Sequence, residues 1–89
     1  MQLNEIGLSG VYNASHPNYI IEFYSDTGQV LIQESETESG VYYDYTNGQL
    51  ELTSVTGNNF IEDRGEQNLL DELTSAISEL ISSEVHLQS

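Results

Sequence analysis

The side chains with most chemistry to offer are carboxylates, and their spacing is regular in one place. Glu34-Ser35-Glu36-Thr37-Glu38-Ser39 alternates acid and hydroxyl. If the chain stays extended past Gln33, Glu34, Glu36 and Glu38 share one face at roughly 6.6–6.8 Å intervals, twice the strand rise. Such a row resembles the charge sequence of a nucleic-acid backbone, with about 3.4 Å per phosphate along one strand. A solvated loop of small polar residues accounts for the same run, and both readings stand on the residues alone. A second acidic feature is Asp44 opposite Glu51. A third is Tyr42 and Tyr24, which alternate away from their neighbours and fall beside Asp44, Glu51 and Glu22. Exposed Tyr suits any sheet, but it is also an interface residue that stacks on Arg guanidinium groups.

Catalytic templates fail in turn. No nucleophile elbow, phosphate-binding loop or dinucleotide fingerprint is present, and Gly7 and Gly10 lack the third glycine of the last. His16 and His86 stand alone in sequence, without ligand spacing. Paired carboxylates suit glycoside hydrolysis by residue type, but a catalytic carboxyl needs a cleft that shifts its pKa. Neither Asp44 to Glu51 nor Asn58 to Glu66 follows the calcium-loop pattern. The expectation is a protein that is not an enzyme and needs no metal or cofactor.

Composition narrows the partner. Eleven Glu and four Asp face a single base, Arg64, and no Lys, for a net charge of −14 across 89 residues. Direct nucleic-acid binding requires a basic footprint that this chain lacks, and anionic membrane surfaces are disfavoured for the same reason. There is no Cys for a disulfide or thiolate site. No basic, apolar leader opens the chain, and no run approaches the ~20 apolar residues of a membrane span. A cytoplasmic protein is expected, and its length suits one domain over 1–89.

The elements that position these residues are legible from periodicity. Tyr19 to Ser25 and Gln29 to Gln33 are strand runs joined through Asp26-Thr27-Gly28. Gly40 to Thr46 and Gln49 to Ser54 flank Asn47-Gly48, the two-residue hairpin signal. That turn sets Thr46 opposite Gln49, Tyr45 opposite Leu50, Asp44 opposite Glu51, Tyr43 opposite Leu52 and Tyr42 opposite Thr53. Val41, Tyr43, Tyr45, Leu50 and Leu52 then face the core. Tyr42, Asp44, Glu51 and Thr53 face the other way. Ile6 to Asn13 forms a further strand, weakened by Gly7 and Gly10, and His16-Pro17-Asn18 breaks it. Leu69, Leu70, Leu73, Ala76, Ile77, Leu80 and Ile81 recur at helical spacing, predicting an amphipathic helix over Glu66 to Ser83. The fold class is therefore α+β: an antiparallel sheet of four to five strands, with two hairpins, and one C-terminal helix packed on one face.

In size, absence of Lys and acidic α+β plan, the chain resembles phage-encoded nucleic-acid mimics, including small anti-CRISPR proteins and uracil-DNA glycosylase inhibitors. The resemblance is one of character, without a matched motif, so it assigns no residue. It implies a small acidic inhibitor that occupies the basic nucleic-acid-binding surface of a target protein, such as a CRISPR effector complex. Glu34, Glu36, Glu38, Asp44, Glu51 and Glu22 would then contact its Lys and Arg side chains, with Tyr42 and Tyr24 as anchors. A bacterial immunity protein or antitoxin that neutralises a cationic toxin or nuclease fits the same residues. Free edge strands also offer a route to a homodimer.

Overall fold

The computed structural model describes residues 2–6 and 10–88, with side chains placed through residue 82. Six strands run as an antiparallel meander in chain order: β1 Leu3–Glu5, β2 Val11–Ser15, β3 Tyr19–Tyr24, β4 Gln29–Glu34, β5 Gly40–Thr46 and β6 Gln49–Thr56. A single-turn helix α1, Phe60–Asp63, and a long helix α2, Gln67–Gln88, follow. The class is as expected, but the strand count is six. The strand expected over Ile6 to Asn13 is β2 from Val11 onward, and a further strand, β1, lies before it and pairs with it. Ile6 N–H donates to Val11 O at 3.0 Å, and β1 pairs with β2 through Leu3–Ala14, Asn4–Asn13 and Glu5–Tyr12. Gly7 lies outside the described residues, while Gly10 takes φ +88°. The three-residue run Leu3-Asn4-Glu5, with one apolar side chain packed against the core, is too short to give a strand pattern, and pairing with β2 supplies what local propensity lacks.

The two hairpins form where the turn residues place them. Gly28 N–H closes onto Tyr24 O at 2.8 Å. Asn47 and Gly48 both take positive φ, 54° and 78°, as a type I′ turn requires. From that turn the register runs as expected through Tyr43–Leu52. There a β-bulge intervenes, so Tyr42 pairs with Ser54 rather than Thr53. The Thr53 hydroxyl donates to Tyr42 O at 3.2 Å.

Alternation sends one set of side chains under the helices. Tyr12, Ala14, Tyr19, Ile21, Phe23, Val30, Ile32, Val41 and Tyr43 are buried there against Phe60, Ile61, Leu69, Leu73 and Ile77. The helical stripe packs as its periodicity predicts through Ile77, Leu70 and Leu80 lie at its margins, and Ile81 is exposed. Leu52 points to the same side but stays exposed, whereas Leu50, two residues before it, packs against the core. Asn59 caps α1, its side-chain oxygen accepting from Glu62 N–H at 3.0 Å. Among the described residues, no helix is long and apolar enough to cross a membrane.

Candidate functional site

The face of the sheet turned away from the helices brings together five of the eight predicted site residues. Cross-strand registers lay them in two adjacent rows. One runs Val11, Tyr24, Gln29, Asp44, Glu51; the next runs Asn13, Glu22, Leu31, Tyr42, Ser54. Neighbouring strands lie about 4.8 Å apart and successive rows about 6.7 Å apart, so the five occupy one continuous patch. Asp44 and Glu51 are direct cross-strand neighbours, and both are exposed.

The middle of this face is apolar. Gly40 carries no side chain, and Leu31 and Tyr42 close over it. A Cβ built there would lie 3.5 Å from Leu31 Cδ1 and 3.6 Å from Tyr42 Cε1. Ile20, beside them across Gln33, is 48% exposed. Tyr24 donates its hydroxyl to Glu22 Oε2 at 3.4 Å. Burial, and then the Glu22 carboxylate, push the Tyr24 phenol above its ordinary range, so it remains a neutral donor. The arrangement is a shallow aromatic and aliphatic platform flanked by carboxylates. Chemically it suits guanidinium and ammonium groups, which donate hydrogen bonds to the acids and stack on the tyrosines.

The expected row of Glu34, Glu36 and Glu38 does not form. β4 ends at Glu34, and Glu34 N–H donates to Ser39 O at 2.9 Å, reversing the chain. Glu38 takes φ +59° inside that turn. Local hydroxyls favour such reversals over continued strand. Glu36 and Glu38 project from the turn into solvent, whereas Glu34 follows Val30 and Ile32 into the helix-covered side and is 5% exposed. Its carboxylate is held by an ion pair with Arg64 and by the Thr37 hydroxyl, which donates to Oε1 at 2.8 Å. Glu34 is therefore not part of an open acidic surface. A buried carboxylate needs a cation, and the chain has one to give.

Arg64 organises a small cluster at this end of the molecule. Its guanidinium also donates to the Tyr19 hydroxyl at 3.2 Å, and Tyr19 donates to Glu66 Oε2 at 2.8 Å. The bonds to Tyr19 and then Glu34 hold the guanidinium pKa above its ordinary value. Tyr19 stacks between His16 and Phe60, with ring centroids 4.8 and 5.1 Å away. His16 Nδ1 accepts from Asn18 N–H at 3.1 Å, so this imidazole closes the β2–β3 turn. The His86 side chain lies outside the described residues. The inward place of Glu34 follows from the alternation Val30, Ile32, Glu34, which ends where the acid–hydroxyl run turns back.

Among the described residues, no three His, Asp or Glu converge as metal ligands would. An open groove of about 500 Å³ runs between the β5–β6 turn and α2, lined by Leu50, Leu70, Gln67, Asp71 and Thr74 among others. It contains one carboxylate and no paired acid and base. Compared with protein-family models, curated proteins and solved structures, the chain has no match.

Proposed function

We propose that the protein is a non-catalytic acidic inhibitor that binds the basic, nucleic-acid-binding surface of a target protein and blocks it by occupation. One observation supports this most: the uncovered sheet face sets Glu22, Asp44 and Glu51 around Tyr24, Tyr42, Leu31 and Ile20, and no base stands on it. The only base in the chain, Arg64, is committed to Glu34 on the other side of the sheet. A face of this kind attracts cationic surfaces over distance and then offers them aromatic contact area. Glu36 and Glu38 extend the negative field at the β4–β5 turn. A CRISPR effector, or another nucleic-acid-binding protein met by a phage, is the target this reading puts first. A cationic toxin or nuclease neutralised in its own cytoplasm presents the same chemistry. Both place the protein in the cytoplasm.

The test is capture of partners from nuclease-treated lysate, so that nucleic acid cannot bridge, followed by elution with salt. A nucleic-acid-binding protein or nuclease should be retained and released between about 0.05 and about 0.5 M salt, as screening shortens to a few ångströms. The triple variant Glu22→Gln, Asp44→Asn, Glu51→Gln should lose the captured protein, while Glu72→Gln with Glu79→Gln on the helix should keep it. Retention that ignores salt, or that survives the triple change, refutes the proposal.

A further inference from the structure

β6 is an outer strand of the sheet and, at eight residues, the longest. Such an edge offers unpaired N–H and C=O groups to any passing strand, and proteins guard it with brevity, Lys, Pro or a bulge. The opposite edge, β1, is guarded by its three-residue length. β6 contains no Lys and no Pro; it has the bulge at Thr53. That bulge has a second effect. Residues three apart in a regular strand point to opposite faces. Here Leu52 pairs with Tyr43 and Val55 with Val41, so both turn toward the helix-covered side. Neither is covered: Leu52 is 51% and Val55 37% exposed, although their partners Tyr43 and Val41 are buried.

We infer that β6 is a self-association edge whose occupant is a second copy of this chain, paired antiparallel about a twofold axis. The bulge selects that occupant. A regular strand laid along β6 matches its faces on one side of Thr53 and mismatches them on the other, because β6 has one residue more. A second copy brings the same extra residue. With the axis between Thr53 and Ser54, Leu52 meets the second copy's Val55, and Val55 meets its Leu52, apolar against apolar on one face. Glu51 meets Thr56 on the other face.

Charge points to the same occupant. Glu51 is the only charged residue from Gln49 to Thr56, so a basic partner finds no carboxylate row along this edge. In the twofold pairing the two Glu51 side chains stand about 15 Å apart, beyond the ~8–10 Å Debye length at moderate salt. The axis is perpendicular to the sheet, so the two uncovered acidic faces join on one side and stay free. Glu51 borders both surfaces, but Leu52 and Val55, which carry the pairing, are not among the residues assigned to the inhibited target, so each assignment can fail without the other.

The experiment is sedimentation velocity of the full chain over a range of protein concentrations, at about 0.05 and about 0.5 M salt. A monomer–dimer equilibrium should appear and shift toward dimer as salt rises, because each copy carries a charge of −14. Salt should weaken a complex with a basic target, the opposite sign. The double variant Leu52→Glu, Val55→Glu changes exposed positions, so its circular dichroism should match the parent, while its dimer dissociation constant should rise more than about tenfold. Val55→Thr, which keeps a β-branched side chain, should dimerise nearly as well as the parent. In the parent, amide hydrogen exchange at Thr53 to Thr56 should slow as concentration increases. A chain that stays monomeric up to about 0.5 mM at the higher salt overturns the inference. So does a dimer indifferent to the double variant.

Discussion

Glu51→Lys should make the protein more stable and a worse binder. Asp44 and Glu51 are paired directly across β5 and β6, where facing Cβ atoms lie about 4.5–5.5 Å apart. Like charges so placed destabilise a sheet, and opposite charges stabilise it by about 0.2–1 kcal/mol. Reversing one of them removes the first effect and adds the second. Both side chains are exposed and screened, so a combined gain of about 0.5–1 kcal/mol is the reasonable figure. In a domain of this size 1 kcal/mol moves the melting temperature by about 4–8 °C, so a rise of roughly 2–8 °C is expected. Net charge changes from −14 to −12, the charge of the substituted residue going from −1 to +1. Glu36→Lys makes the same change in an exposed turn without a cross-strand acid opposite, and serves as the control. Thermal melts of both variants at low and moderate salt separate the local pair from the general field. The Glu51→Lys gain should exceed the control and shrink as salt is added. The same variant should release the captured target at lower salt than the parent. A melting temperature no higher than that of Glu36→Lys refutes the cross-strand repulsion. A stabilised variant that holds its target as tightly as the parent refutes the assignment of this face.

Three further outcomes follow from the interior. Ile32 is fully buried and faces Ile21 and Val41, so Ile32→Ala should cost about 2–5 kcal/mol, measurable as a lowered urea midpoint at an unchanged slope. Glu34→Gln should lower the melting temperature, because the Arg64 ion pair is lost, whereas Glu36→Gln and Glu38→Gln should leave it level or raise it; a silent Glu34→Gln would contradict a stabilising ion pair on the buried carboxylate. Burial, with a smaller contribution from Glu62, raises the Tyr43 phenol above the ordinary value of 10.0, so the folded state holds that proton after the unfolded chain has released it. The stability this contributes is complete below pH 10.0 and is lost as pH rises from there through the raised folded value. Tyr43→Phe should therefore flatten the alkaline decline in unfolding free energy, and a decline as steep as the parent's would assign it to other groups.

How far the sequence alone reaches depends on where the determining contacts lie. The last four strands, β3 to β6, the Asn47-Gly48 hairpin and the α2 stripe rest on local chemistry and on periods of 2 and 3.6, and they are where these signals put them. β1 has no pattern of its own; it exists because β2 presents a free edge, which no local window reports. The bulge at Thr53 is likewise invisible locally, since Thr53, Ser54 and Val55 are all ordinary strand residues. For the candidate site the division is similar. Tyr24, Glu22, Tyr42, Asp44 and Glu51 come together because alternation within two hairpins is enough to place them. Glu34 departs from the expected acidic row because strand alternation turns it inward with Val30 and Ile32; its partner Arg64, 30 positions on, is what no local window reports.

The placement of charge argues against solvation as its sole purpose. A chain selected only to stay soluble gains nothing from setting Asp44 opposite Glu51. Exchanging Glu51 with Gln49 or Thr53 would relieve the pair and keep the net charge. On the helix Asp71, Glu72 and Glu79 occupy the outer surface with no cross-strand acid set against them. The uncovered sheet face is different. Its carboxylates crowd beside tyrosines and aliphatic side chains, a combination that lowers stability through repulsion and exposes apolar area to water. Meanwhile the single base of the chain, which could have neutralised one of them, serves instead to hold Glu34 under α1. The one Lys or Arg of the chain thus stands at the surface over a buried carboxylate, Glu34, and not on the open sheet face. A cationic surface laid on the open face would relieve the repulsion and cover the apolar centre together, which solvent and counterions cannot do.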